Sequence, residues 1–213
     1  MIDISKIENI IFDLGVVIIN LDFSRTIKAF EQKIPNLDKR TFLGSENQDP
    51  FFSQYEVGKI STEDFYKAFL NKFKTKMSLI EFTECWNAMI LDIPRARIEL
   101  LERLKKSGKR IFLLSNINAL HEDAVEKSFQ MLKMKGSFRS LFNNAYYSHH
   151  IGHRKPSPES YEHVIKENKL DKTKTLFIDD MFPNIVAARK VGLSAFHLEK
   201  DSKIEKLDIF NNE

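Results

Sequence analysis

Apolar residues along this chain follow two different periods. At 10–12, 111–114, 145–147, 175–178 and 194–197 they form short runs, too brief for helices and too continuous for strands with one wet face. Such runs predict buried parallel strands, the one at 145–147 being the weakest. Between the later runs, apolar positions recur at helical spacing and predict helices at 94–104, 119–132, 158–167 and 183–191. Strands alternating with helices give an α/β fold: a doubly wound, Rossmann-like parallel sheet covered on both faces.

The second regime lies after the first run. Residues 16–21 stay apolar and rich in β-branched side chains, as an extended flap leaving the strand would. From Phe23 to about Ile90 the segments read as short amphipathic helices. Ser24 precedes one that contains Ile27 and Phe30, Gly58 separates two others, and Ser61 with Asp64 and Ser78 with Glu81 read as capping boxes. Phe51, Phe52, Tyr55, Phe65, Phe69, Phe73, Phe82 and Trp86 supply apolar faces suited to a small core of their own. The predicted organisation is an α/β core from 1–17 and 93–213, interrupted by a small helical domain at 18–92. The polar tail from Lys200 is expected on the surface.

Charge and composition narrow the function. The 33 basic and 30 acidic residues are mixed along the chain, and a net charge of +3 is too weak and dispersed to argue for nucleic acid. The single cysteine, Cys85, excludes an internal disulfide and a thiolate zinc site, and beside Trp86 it reads as a packed thiol. The opening MIDISKIE carries both charge signs, and the apolar run behind it is broken by Asp13. That is neither a signal peptide nor a membrane span, so a cytoplasmic protein is expected. Oligomeric state is not legible.

Three of the predicted strands end in polar groups: Asp13, Ser115-Asn116 and Asp179-Asp180. In a doubly wound sheet these ends share one edge, where ligands bind. Asp13 alone would serve a turn or a helix cap equally well. With Arg154-Lys155-Pro156 in a loop ahead of a returning helix, the set holds a nucleophilic carboxylate, paired carboxylates suited to a hard cation, a hydroxyl and an ammonium. Phosphoryl transfer needs chiefly positioning and charge neutralisation, which these groups supply. The run from Lys105 to Arg110 reads more simply as a helix carboxyl terminus with a glycine stop. His149, His150 and His153 lack the one-face spacing of a metal motif and read as a solvated loop.

Taken in order, FDLGVV, LLSN, RKPSPESY and FIDDMFPNIVAARKVG resemble the four motifs of the haloacid dehalogenase superfamily of aspartate-nucleophile phosphatases. Within it the chain is similar to members with a helical cap after the first motif, including sugar-phosphate phosphatases with a DLG-type first motif. The match runs from Ile10 to about Gly192. The resemblance implies a Mg2+-dependent phosphomonoesterase acting on a small phosphorylated metabolite, sugar phosphates among the candidates. It implies that Asp13 attacks phosphorus to form an aspartyl-phosphate. Ser115 and the backbone amides of Leu14, Gly15 and Asn116 would hold phosphate oxygens, and Lys155 would balance charge. The metal would be held by Asp13, the Gly15 carbonyl and Asp180, with Asp179 acting through water. Asn184 would either support Lys155 or the metal shell, or simply lie on a helix surface.

One position departs from the pattern. Such phosphatases usually carry a second aspartate two residues after the nucleophile, where this chain has Gly15. Losing a general acid or base costs on the order of a hundred- to ten-thousand-fold. Either a cap residue or water supplies the proton, or the leaving group is good, as in anomeric, acyl or aryl phosphates, or the protein binds phosphate ligands without turnover. A dehalogenase would have little use for Asp179-Asp180, and a phosphomutase needs the missing proton transfer most. Asp22, Arg25, Gln54, Tyr55 and Glu56 are candidates for setting specificity from the cap.

Overall fold

In the computed structural model, which describes residues 3–39 and 49–210, five parallel strands form one sheet in the order β3-β2-β1-β4-β5. They are β1 (Asn9–Phe12), β2 (Arg110–Ser115), β3 (Asn144–Tyr147), β4 (Thr175–Asp179) and β5 (Ser194–His197). Each lies within a residue or two of its predicted run. The runs are continuous because both faces are covered. Ile10, Phe12, Ile111, Leu113, Leu176 and Ile178 point into one apolar layer. Ile11, Phe112, Leu114 and Phe177 point into the other.

Helices α5 (Arg95–Lys106) and α6 (Ala119–Met131) cover the first layer through Ile98, Leu101, Leu104, Val125 and Phe129. After the single turn α7 (Ser148–Ile151), helices α8 (Pro158–Asn168) and α9 (Phe182–Lys190) cover the second through Tyr161, Val164, Ile185 and Ala188. The basic run after α5 is a helix end. Gly108 turns the chain at φ +87°, and Lys109 Nζ donates to the Ile4 and Ile7 carbonyls at 3.0 and 2.9 Å.

Between β1 and α5 lie four described helices: α1 (Phe23–Glu31), α2 (Pro50–Glu56), α3 (Thr62–Phe73) and α4 (Leu79–Asn87). Phe30, Phe52, Phe65, Phe69, Phe82 and Trp86 form a separate apolar cluster there, as the aromatic pattern predicted. Ser78 and Glu81 make the full reciprocal capping box. Ser61 accepts from Asp64 N–H, but the Asp64 carboxylate takes the Ser61 hydroxyl instead of reaching back to the backbone; its side chain is one carbon shorter than glutamate. The start of α1 also differs from expectation. Asp22, not Ser24, is its cap and accepts from Ser24 N–H at 3.0 Å.

The tail corrects a prediction more substantially. Ile204 and Phe210 are buried in the first sheet layer, and Glu205 pairs with the buried Arg97 of α5 at 3.3 Å. The four apolar residues of the tail, Ile204, Leu207, Ile209 and Phe210, are scattered among charged ones over too short a stretch to stand out, so the polar composition hid their burial.

Candidate active site

The carboxyl ends of β1, β2 and β4 meet as predicted. Parallel register sets Phe12 beside both Leu113 and Ile178, and Asp13 N–H continues the ladder to the Ile178 carbonyl at 2.9 Å. Asp13 therefore emerges beside Asp179. Lys155, 1 % exposed, reaches up from the loop before α8. Its Nζ donates to Asp13 Oδ1 at 2.5 Å and to Asp179 Oδ2 at 2.7 Å.

Asp179 is fully buried and saturated with donors. Besides Lys155 it accepts from Met181 N–H at 2.7 Å and from Asn184 Nδ2, which reaches both oxygens at 3.0 Å. Asn184 is therefore not a surface residue; it holds Asp179. The side chain of Asn116 has a role the sequence did not suggest. It clamps the Lys155 backbone, Oδ1 accepting its N–H and Nδ2 donating to its carbonyl, each at 2.8 Å.

Ligand atoms of Asp13, Asp179 and Asp180 lie within 4.8 Å of one another. Against one ammonium, three ionised carboxylates leave two uncompensated negative charges in a mostly buried corner, and burying unpaired charge is costly. Burial drives the Asp13 carboxyl up to about 7; Lys155 opposes the rise while Asp179 and Asp180 add to it. Asp180 is pushed upward by burial and by Asp179. Lys155 loses solvation, yet Asp13 and Asp179 hold it above its ordinary range. An all-oxygen corner with excess negative charge fits a hard divalent cation.

The turn after Asp13 is tight. Val17 N–H donates to the Gly15 carbonyl at 2.6 Å, and Val16 sits at φ +63°, a region β-branched residues rarely adopt. Arg97 pins this turn by donating from Nη1 to the Val16 carbonyl at 2.9 Å. Leu14, Gly15, Ser115 and Asn116 all line one cavity of about 250 Å³ between the sheet edge and the helical insertion. From the insertion, Glu56 joins the lining and pairs with Arg154 at 2.6 Å.

The other suggested specificity residues are engaged elsewhere. Asp22 caps α1, Arg25 pairs with it at the surface, Gln54 is exposed, and the Tyr55 hydroxyl meets Thr62 Oγ1 and Leu120 N–H. The histidines divide. His153 is exposed, whereas His149 and His150 approach Glu122 Oε2 at 2.9 and 3.2 Å. Arg139 also meets Glu122, and donates to His150 Nδ1 at 2.9 Å, making this an ion-pair network with a largely buried His149 and not a solvated loop.

Comparison with known proteins adds to this geometry. The chain is 29% identical to the D-ribitol-5-phosphate phosphatase of Bacteroides thetaiotaomicron, over 91% of this chain and 92% of that protein. It is also 29% identical to a sesquiterpene phosphatase of Aspergillus oryzae, over 88% of each. Among solved structures it resembles a wild-type HAD family enzyme of Bacteroides thetaiotaomicron in complex with magnesium and inorganic phosphate. That likeness has a TM-score of 0.83 at 29% identity, over 92% of this chain and 96% of that one. The model of the haloacid dehalogenase-like hydrolases matches residues 7–192, a span that opens at β1 and closes behind α9, with Asp13, Ser115, Lys155 and Asp179 in order between; this chain belongs to that family.

Proposed function

We propose that the protein is a Mg2+-dependent phosphomonoesterase in which Asp13 is the nucleophile. The observation that carries this reading is the junction of Asp13, Lys155, Asp179 and Asp180 at one sheet edge, next to a cavity lined by their chain neighbours Leu14, Gly15 and Arg154 and by Ser115. Lys155 occupies Asp13 Oδ1, which leaves Oδ2 to attack phosphorus in line with the departing oxygen and form an aspartyl-phosphate. Ser115 and the amides of Leu14, Gly15 and Asn116 orient the phosphoryl oxygens. Mg2+ would be held by Asp13, Asp180 and the Gly15 carbonyl, with Asp179 behind them, and would neutralise charge on the phosphoryl group. Val17 N–H takes one lone pair of that carbonyl, and the other would remain for the ion. The helical insertion acts as a cap that excludes water and selects the substrate. The magnesium and phosphate complex of the related HAD enzyme and the two phosphatase relatives support this reading.

Phosphate release across aryl, acyl, anomeric and primary-alcohol monophosphates, with and without Mg2+, tests it. Turnover should fall by at least about four orders of magnitude in Asp13→Asn and vanish in chelator. With glycine at 15, esters with good leaving groups should turn over fastest. No release from any ester, by protein that still binds Mg2+, would instead mark a silent phosphate-binding protein.

A further inference from the structure

The two phosphatase relatives have the same identity to this chain yet release very different alcohols, a polyol and a sesquiterpene. The cavity wall separates these possibilities. Away from the phosphoryl site it is built from Leu21, Phe52, Trp86, Met89, Ile90 and Val125. Among the described residues, most of the polar side chains that line it are engaged with other protein groups. Asn118 Oδ1 accepts from Trp86 Nε1 at 3.3 Å and from His121 N–H at 3.1 Å. The Trp86 carbonyl can only accept, so His121 Nε2 donates to it at 3.1 Å, and His121 Nδ1 in turn accepts from Asn118 Nδ2 at 3.1 Å. Asn116 is committed to the Lys155 backbone, and Glu56 to Arg154.

Above Gly15 the same trend continues. A Cβ on residue 15 would stand 2.6 Å from Leu21 Cδ1, so a methyl group fills the space a polar side chain there would need. A polyol entering this cavity would bury hydroxyls with few partners, each unsatisfied group being costly, whereas an apolar group would meet matching walls.

Resting on the phosphomonoesterase reading, we infer that the substrate is the monophosphate of an apolar alcohol. A cavity of about 250 Å³, part of it taken by the phosphate, holds an organic group on the order of six to ten carbons.

Two measurements test this separately from the reading beneath it. The first is the affinity of Asp13→Asn, with Mg2+, for n-propyl, n-hexyl and n-octyl phosphate and for ribitol 5-phosphate, by calorimetry. Affinity should rise up to about fourfold per methylene until the cavity is full. Octyl phosphate should bind at least about a hundredfold more tightly than ribitol phosphate. The second is kcat/KM of the wild type on the same esters and on phenyl phosphate. Polyol hydroxyls make the slightly better leaving group, so leaving-group effects oppose the expected order. Met89→Gln, close to Met89 in shape but polar, should narrow the octyl-to-ribitol ratio by about tenfold or more if it folds as the wild type does by circular dichroism. Equal affinities, or tighter polyol binding, overturn the inference whatever the turnover. Absence of turnover on every ester removes the phosphomonoesterase reading and leaves the affinities to decide the apolar preference.

Discussion

As the proposed nucleophile, Asp13 would work only as a carboxylate, yet burial drives its pKa up to about 7. A cation must therefore compete with a proton for it over the acid range. Below pH 7, apparent Mg2+ affinity should rise by up to about tenfold per pH unit, with one proton released per ion, and should flatten above it. Calorimetric titrations in two buffers of different ionisation heat count that proton, and Asp13→Asn should abolish the release near neutrality. Asn116 acts through Lys155, holding the N–H and carbonyl of that residue at 2.8 Å each. Asn116→Ala should leave the nucleophile intact but let the ammonium drift. A displacement of about 1 Å costs on the order of a hundredfold, so kcat/KM should drop by that much. Asn116→Asp, which still accepts from the Lys155 N–H, should fall between the two. Equal kcat/KM in wild type and Asn116→Ala would remove the positioning role.

The strands were legible because a strand buried on both faces leaves an uninterrupted apolar run, and the polar residues that close three of the five runs point to the sheet edge where the candidate site lies. Asp13 alone stayed as compatible with a cap as with chemistry until Ser115-Asn116, Asp179-Asp180 and Lys155 joined it. What stayed hidden were contacts that cross between elements. Arg97 sits in a helix full of charges and nothing in its spacing separates it from its exposed neighbours. Yet it is buried, bonded to the Val16 carbonyl at 2.9 Å and to Glu205 at 3.3 Å, and so ties the tail to the turn behind Asp13. The tail's own anchors, Ile204 and Phe210, escaped because the stretch around them is short and mostly charged, and Asn116 because a side chain bonded to a distant backbone leaves no pattern. Arg97→Met should strand Glu205 and release the turn, at a cost of about 3–5 kcal/mol in denaturant unfolding. Arg97→Met with Glu205→Leu should recover part of the stability by removing the orphaned charge. It should not recover the turn, so phosphatase activity should stay low in both variants. Recovery of both together would show that Arg97 serves the tail alone.

The helical insertion and the sheet are joined where Trp86 meets the start of α6. Its ring stacks on His121 with centroids 5.2 Å apart, and its Nε1 bonds to Asn118. Burial holds the His121 imidazole down to about 4, with the hydrogen bond to the Trp86 carbonyl opposing. A proton on Nδ1 would also face the Asn118 amide, which donates to that atom in the neutral form. Because the folded pKa lies below the ordinary value near 6.5, the unfolded chain binds this proton more readily. The stability due to neutral His121 is complete above pH 6.5 and drains away as pH falls toward 4, by at most about 3 kcal/mol. The loss falls on the seam between insertion and sheet, so acidification should loosen docking before it melts the strands. Trp86 is the sole tryptophan and sits in that seam. Its emission should shift to the red between pH 6.5 and 4.5 while far-ultraviolet circular dichroism holds steady. His121→Gln can keep both hydrogen bonds, Nε2 donating and Oε1 accepting, but cannot titrate. In that variant the shift should leave this window, and with it the loss of cavity closure and turnover over the same range. An unchanged profile would place the acid sensitivity in the carboxylates of the sheet edge instead, since burial also pushes Asp13 and Asp180 upward and both take up protons as the medium acidifies. The two origins differ in sign for the fold. Protonating those carboxylates relieves buried repulsion, whereas protonating His121 opens the seam, and only the second makes the protein easier to unfold as pH falls.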